Sequence, residues 1–391
     1  MCFLRQNLAN VCADSFLAIG KVIEVKKFDS DIQLGELPDL FTCLDGSKFT
    51  DISKWPERRK EILDTIVPLL YGGMPPKPDV LKVTHLFFWR DQLDSYLIET
   101  GTNEKTLSFE LQLHVPEGKG PFPVLLTGDG CFGYCTEAVI KEANSRGYIV
   151  AKFNRTVLAR DEYFFNDRVG GLYDVYPNME FGALSAWAWG YHRCIDALEQ
   201  IPIANSSFIA ITGHSRGGKT TLLAAATDER VLFVQDSASG AGGGGCFRYE
   251  QYVSDDDAAD RDIEESRSEQ LKDLKPIVPY WFGPNIWEYI GKEDTLPFDH
   301  HFLKAAIAPR WLLLTNSIDD IWANPRGSYL TYMAAREIYQ FLGVENHIAA
   351  NYRRGSHYHR LTDFFTFLDF IDAAREGQPY GGRNAEQMLF E

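Results

Sequence analysis

The sequence predicts an α/β fold: a mostly parallel, twisted sheet with antiparallel strands on its N-terminal side and helices on both faces. Three observations point there. From Pro121 onward, short apolar runs alternate with helix-forming stretches, the pattern of parallel strands joined by crossover helices. Before it, residues 80–89, 95–100 and 107–115 follow one another with only turns between them, as antiparallel neighbours do, and Phe109, Leu111, Leu113 and Val115 alternate with polar residues. Finally, the apolar, β-branched run 207–212 passes through Gly213-His214-Ser215-Arg216-Gly217-Gly218-Lys219-Thr220 into the helix-forming run 221–226.

Residues 1–50 have weak periodicity and several turn residues, and read as a lead that packs on the main domain at 51–375. A helix is expected over 55–67, with Pro56 in its first turn and Ile62, Ile66 and Val67 on one face; Gly72-Gly73-Met74-Pro75-Pro76 ends it. After the antiparallel strands come a buried strand at 124–127 ending in Gly128-Asp129-Gly130, a helix at about 136–146 and a strand at 149–153. A long polar and aromatic loop, 154–179, precedes a helix over 180–200 with Leu184, Trp187, Ala188, Tyr191, Cys194, Ile195 and Leu198 in one stripe. Beyond the glycine-rich turn lie a strand at 231–235, a small-residue loop at 237–245 and an acidic insertion at about 249–275 holding Asp255-Asp256-Asp257. Those three acids lack the Gly and closing Glu of an EF-hand loop, so a solvated face is expected and not a Ca²⁺ site. Strands at 310–316 and 348–352, helices at 326–341 and 361–374, and a C-terminal tail at 376–391, glycine-rich and frayed from Gly377, complete the chain.

Composition narrows the function classes. Hydrophobic content of 45% and charged content of 24% are those of a globular protein. A formal charge of −16 argues against nucleic acid as the main partner, because phosphate contacts need a Lys/Arg surplus, and against an anionic membrane surface. No stretch reaches the roughly 18 apolar residues of a membrane span. Gln6, Asn7, Asn10, Asp14 and Ser15 break the first apolar run, so it does not read as a clean signal peptide: the chain as written looks unexported, or its true start lies elsewhere. The seven cysteines are scattered, and Cys131 and Cys135 have no partner pair at zinc-site spacing, so ordinary thiols are expected.

The turn at 213–220 carries two patterns. Gly213, Ser215 and Gly217 fit G-x-S-x-G, the nucleophile elbow in which a serine sits on a tight strand-to-helix turn with its hydroxyl exposed. Gly213 to Thr220 also fit G-x-x-x-x-G-K-T, the phosphate-binding loop, with Lys219 on phosphate, Thr220 on Mg²⁺ and Asp236 ending an apolar run like a Walker B strand. The order of the chain decides between them. Ser215 follows one strand, Asp319 and Asp320 another, and His357 the last, which is the Ser–acid–His order of an α/β-hydrolase. A phosphate-binding loop usually opens its domain, whereas here parallel strands precede it. The expected chemistry is nucleophilic: His357 takes the Ser215 proton, an acid orients the imidazole, and the elbow helix with the Arg216 N–H faces the oxyanion. His359 is the rival base, and His214 reads as a packing or hydrogen-bonding neighbour.

Several segments, in order over roughly residues 50–375, resemble the glucuronoyl esterases, carbohydrate esterase family 15. They include Gly213-His214-Ser215-Arg216-x-Gly218-Lys219, Phe181-Gly182-Ala183-Leu184-Ser185-Ala186-Trp187, Ser239-Gly240-Ala241-Gly242-Gly243, Pro279-Tyr280-Trp281-Phe282, Trp322-Ala323-Asn324-Pro325 and Arg354-Gly355-Ser356-His357. The resemblance implies an α/β-hydrolase fold, cleavage of 4-O-methyl-glucuronate esters of plant-wall glucuronoxylan, no metal and no cofactor. It also implies Ser215 as nucleophile, His357 as base, Arg216 at the oxyanion, Lys219 and Glu269 on sugar hydroxyls and Trp322 in the sugar pocket. It suggests export, against the reading of the N-terminus. Many members carry their acid at the place filled here by Ala238; some bacterial members take it from the loop that holds the tryptophan, which selects Asp320, ahead of Asp319 and Asp236. An acetyl-xylan or other carbohydrate esterase on the same triad is the alternative; a phosphate-binding-loop protein and an inactive carbohydrate-binding scaffold stand further off.

Overall fold

The computed structural model describes residues 31–89, 93–261, 263–382 and 384–390, so most of the expected N-terminal lead lies outside the described residues. Helix α1 (Trp55–Tyr71) has proline in its first turn and stops on Gly72 at φ 72, a left-handed cap that glycine adopts at little cost. Nine strands then make one sheet: β1 (Val80–Trp89), β2 (Leu93–Gly101), β3 (Thr106–His114), β4 (Phe122–Thr127), β5 (Ile149–Phe153), β6 (Ala204–His214), β7 (Val231–Ser237), β8 (Trp311–Ser317) and β9 (Ile348–Arg353). Their order across the sheet is β9-β8-β7-β6-β4-β5-β3-β2-β1. β1, β2 and β3 pair antiparallel, as does β3 with β5; every pairing from β5 across to β9 is parallel.

Alternation along the strands builds two cores. Leu125, Val150, Ala210, Phe233 and Leu313 face α2 (Glu137–Ser145) and, far along the chain, the helix at Leu361–Arg375. Val124, Leu126, Ile149, Ile211, Val234 and Leu314 face the opposite side, against α1 and the helices α3 (Ala183–Leu198), α4 (Arg216–Thr227) and α5 (Pro325–Phe341). The helix at Leu361–Arg375 is α6.

Four expectations are corrected in detail. Helix α3 begins at Ala183, three residues late, because the chain at Gly182 lies against another backbone: a Cβ there would sit 2.3 Å from the Trp281 carbonyl oxygen. It is buried on every side and not along one stripe, and its polar residues are paired within: His192 Nε2 lies 3.1 Å from the Ala224 carbonyl and Arg193 Nε donates to Asp196 at 2.7 Å. The loop 154–179 contains a 3-10 turn at Arg155–Val157 and a short helix at Leu172–Val175. Among its described residues the tail from Gly377, expected to fray, is anchored at Asn384. Asn384 accepts from the Tyr352 N–H at 2.6 Å and donates to the Tyr352 carbonyl at 2.7 Å, so the tail covers the open edge of β9 before the helix Ala385–Phe390.

The short antiparallel pair Ile32–Gln33 with Tyr249–Glu250 ties the N-terminal lead to the acidic insertion. That insertion holds two short helices, Asp255–Asp260 and Leu271–Ile277, and Asp255, Asp256 and Asp257 are exposed. Among the described residues no group of His, Cys, Asp and Glu is arranged to hold a metal ion, the cysteines are free, and no helix is long and apolar enough to cross a membrane. Because β4 to β9 run parallel, the segments after β4, β5, β6, β8 and β9 emerge along one edge of the sheet. Strand order reverses between β4 and β6 there, the place where open α/β sheets leave a crevice.

Candidate active site

Ser215 stands between β6 and α4 at φ 56 and ψ −121, a backbone conformation that costs a non-glycine residue roughly 1–3 kcal/mol. Three hydrogen bonds fix it. Its N–H donates to the Ser237 carbonyl at 2.8 Å, its carbonyl accepts from the Lys219 N–H at 3.0 Å, and the preceding His214 N–H donates to Asp129 at 2.9 Å. The flanking glycines are steric requirements: a Cβ on Gly213 would lie 2.4 Å from the Gly217 carbonyl oxygen, and one on Gly217 would lie 2.4 Å from the Asp129 carboxylate. Strand, turn and helix therefore pack more closely than any side chain allows. The serine hydroxyl is carried to the mouth of a cavity of about 250 Å³ that Ser215, His357 and Asp320 all line.

His357 comes from the loop after β9 and Asp320 from the loop after β8. The Nδ1 atom of His357 lies 2.6 Å from Oδ2 of Asp320, whose side chain is buried. Burial works to lower the His357 pKa, but the Asp320 carboxylate outweighs it, and the net value lies above the ordinary 6.5. Asp319 has another task. It pairs with Arg261 of the acidic insertion and accepts from the Gly355 N–H at 2.8 Å, which ties the insertion to the loop that carries His357. Asp236 lies buried under α4, beside the helix glycine Gly218, and burial raises its pKa. Ala238, at φ 44, places only a methyl group next to β8.

The two other histidines pack. The His359 ring stacks on Phe364 with centroids 3.9 Å apart, and burial lowers its pKa to about 4. His214 lies between His359 and His357, 5.2 and 4.7 Å from their ring centroids, with Nδ1 3.1 Å from the Ser237 hydroxyl; burial holds it well below its ordinary value.

Arg216, the first residue of α4, turns its guanidinium into the cavity beside the rings of Tyr163 and Trp281, 4.8 and 4.9 Å from their centroids. Lys219 lies beneath the cavity and does not line it. Its ammonium donates to the Ser239 carbonyl at 2.6 Å, to the Ala241 carbonyl and to Glu269 at 2.8 Å, which occupies its three N–H donors. Burial, only partly offset by Glu269, lowers its pKa. Glu269 does line the cavity, held by that pair and by its own N–H on the Trp322 carbonyl at 3.0 Å, and Trp322 lines it too. This geometry excludes the phosphate-binding loop: Lys219 is bonded to protein, and the Thr220 hydroxyl donates to the Arg216 carbonyl at 2.8 Å.

Sequence reasoning missed Asp129, Arg155, Asp161 and Tyr163, which gather around Arg216. Arg155 donates to Asp129 and to Asp161 at 3.0 Å each, and Asp161 also accepts from Arg216 at 3.1 Å. The available signal was the position of Asp129 and Arg155, each just past the end of a parallel strand. Glu264 and Glu265 of the insertion also line the cavity, as do Phe132 and Tyr134 of the loop after β4.

A family model described as glucuronyl esterase, fungi, matches residues 98–343, more than half of the chain. The chain belongs to the glucuronoyl esterase family. A 4-O-methyl-glucuronoyl methylesterase 1 of Wolfiporia cocos is 31% identical over 318 residues, which cover 80% of this chain and 73% of that protein. Among solved structures, a carbohydrate esterase family 15 glucuronoyl esterase from Caldicellulosiruptor kristjansonii superposes with a TM-score of 0.78 at 32% identity, covering 90% of this chain and 93% of that one. A mutant glucuronoyl esterase from Sporotrichum thermophile, solved with methyl 4-O-methyl-β-D-glucopyranuronate, superposes with a TM-score of 0.73 at 25% identity, covering 91% of each chain. Membership makes the protein a carboxylic ester hydrolase on an α/β-hydrolase scaffold.

The Lys219–Glu269 pair is buried inside this site, so removing one partner strands the other's charge. Lys219→Met is expected to lower stability by about 3–5 kcal/mol, read as a fall in the urea midpoint. An unchanged midpoint would mean that Glu269 does not need its cation.

Proposed function

We propose that the protein hydrolyses glucuronoyl esters, taking a 4-O-methyl-glucuronate ester of plant-wall glucuronoxylan through an acyl-enzyme on Ser215. The observation that carries this reading is the 2.6 Å contact between His357 and Asp320 in a cavity shared with an elbow serine. His357 Nε2 takes the Ser215 proton as Oγ attacks the uronate carbonyl carbon. Asp320 holds Nδ1–H and stabilises the imidazolium. The negative charge that develops on the carbonyl oxygen meets the N-terminus of α4 and the Arg216 guanidinium. Collapse expels the alcohol, which receives the proton from His357. Water then attacks the acyl carbon with His357 as base, releasing the uronate and restoring Ser215.

Binding of the sugar falls to Glu269 and Trp322, with Lys219 acting from below. Lys219 donates to the Glu269 carboxylate at 2.8 Å and so holds it in place at the cavity wall.

Two outcomes are expected. Ser215→Ala lowers hydrolysis of benzyl glucuronate by roughly four to six orders of magnitude while the circular dichroism spectrum is unchanged. Undiminished cleavage would remove Ser215 from the mechanism, and cleavage of an acetylated xylo-oligosaccharide alone would keep the triad and discard the uronate pocket. The pH profile follows from the charge on Asp320. His357 must be neutral to accept a proton and its pKa lies above 6.5, so the acid limb of kcat/KM is expected above pH 6.5. Asp320→Asn removes the charge that raises this pKa, so the limb moves to lower pH as kcat falls; a limb that stays in place would assign it to another group.

A further inference from the structure

The loops after β4 and β5 together build a continuous line of buried charge that ends on Arg216. It starts at the elbow backbone, where Asp129 Oδ2 accepts the His214 N–H at 2.9 Å. Asp129 Oδ1 accepts from Arg155 Nε at 3.0 Å, and Arg155 Nη1 donates to Asp161 Oδ2 at 3.0 Å. Asp161 Oδ1 accepts from Arg216 Nη1 at 3.1 Å, and Arg216 Nη2 donates to the Tyr163 hydroxyl. The side chains of Asp129, Arg155 and Asp161 are 3%, 0% and 1% exposed, so none of the three can swing out to water. The Arg155 guanidinium is also seated 4.2 Å from the centroid of the Trp187 ring. Two carboxylates and two guanidiniums alternate, so the line carries no net charge into the interior.

We propose that Asp161 and Tyr163 are positioning residues for Arg216, fixing its guanidinium where charge develops during ester cleavage. The inference rests on the reading of Arg216 as an oxyanion donor. An arginine side chain carries large rotamer entropy, and one free to move must lose it again at each transition state. Here one edge of the fork is bound to a carboxylate that cannot move. A guanidinium has five N–H donors, and Asp161 and Tyr163 engage two of its nitrogens, which leaves further donors for the cavity. The line begins at the residue before Ser215 and ends at the residue after it. The two loops therefore hold nucleophile and guanidinium in one register.

The test is a double-mutant cycle on benzyl glucuronate, with kcat and KM measured separately. Asp161→Asn is expected to lower kcat by about 10–100-fold, and Tyr163→Phe by about 3–10-fold, with KM changed less than about twofold. In an Arg216→Ala background neither substitution is expected to lower kcat further, because its target is gone. Tyr163 is half-exposed, so its variant tests the idea even where Asp161→Asn disturbs folding. Wild-type kcat in both variants would overturn the proposal. So would losses of undiminished size in the Arg216→Ala background, since they would show an action through the fold. Wild-type kcat in Arg216→Ala alone would instead overturn the oxyanion reading.

Discussion

The site depends on the close approach of β6, the elbow turn and α4. Ser215 stays at φ 56 only because its neighbours are glycines pressed against backbone and carboxylate: Gly213 against Gly217, and Gly217 against Asp129. The strain is local, and the sheet that opposes it is large. Strands β4 and β7 flank β6 in parallel register over the segment that leads into the turn, so the serine cannot relax without breaking ladder hydrogen bonds. The same approach brings Asp129 within reach of the His214 N–H and starts the line of charges that ends on Arg216.

Buried charge then sets the geometry that apolar packing cannot. Four groupings cross between segments distant in sequence: His357 with Asp320, Lys219 with Glu269, Arg261 with Asp319, and Arg216 with Asp161 and Arg155. Buried ion pairs add little net stability, because desolvation cancels much of the attraction, but an unpaired member is costly. Such pairs work as a register. The loops after β8 and β9 meet through His357–Asp320 and through Asp319 on the Gly355 N–H, and the acidic insertion is clamped to the loop after β8 by Arg261 and by the Glu269 N–H on Trp322. Asp255 to Asp257, read as a solvated face, are exposed, and the insertion forms cavity wall further along at Glu264, Glu265 and Glu269.

The fold was legible because its signals are local and repeated. Alternation marked the antiparallel strands, and buried β-branched runs marked the parallel ones. The positions of Ser215, Asp320 and His357 were legible because each stands just past a strand end, where a parallel sheet gathers its loops. Choosing between Asp320 and Asp319, or between His357 and His359, needs side-chain direction, which a chain order does not contain; the stack of His359 on Phe364 and the Gly355 N–H on Asp319 become visible only in three dimensions. The Asp129–Arg155–Asp161–Arg216 line was hidden for a related reason. Its members come from two loops and the start of α4, and no spacing rule links them. The partners of Lys219 were hidden in the same way: its ammonium meets Glu269 and two carbonyls from segments that no spacing rule links to it. The tail was misread because glycine content says nothing of the two hydrogen bonds that Asn384 makes to Tyr352.

Hydrolysis through an acyl-enzyme requires a single reactive hydroxyl at the elbow. The most direct test is titration with a fluorophosphonate, comparing residual glucuronate-esterase activity with the fraction of the Ser215 peptide modified by mass spectrometry. Activity falling in proportion to that fraction, and reaching zero at full modification, is the predicted result. Activity that survives complete modification of Ser215 would contradict it.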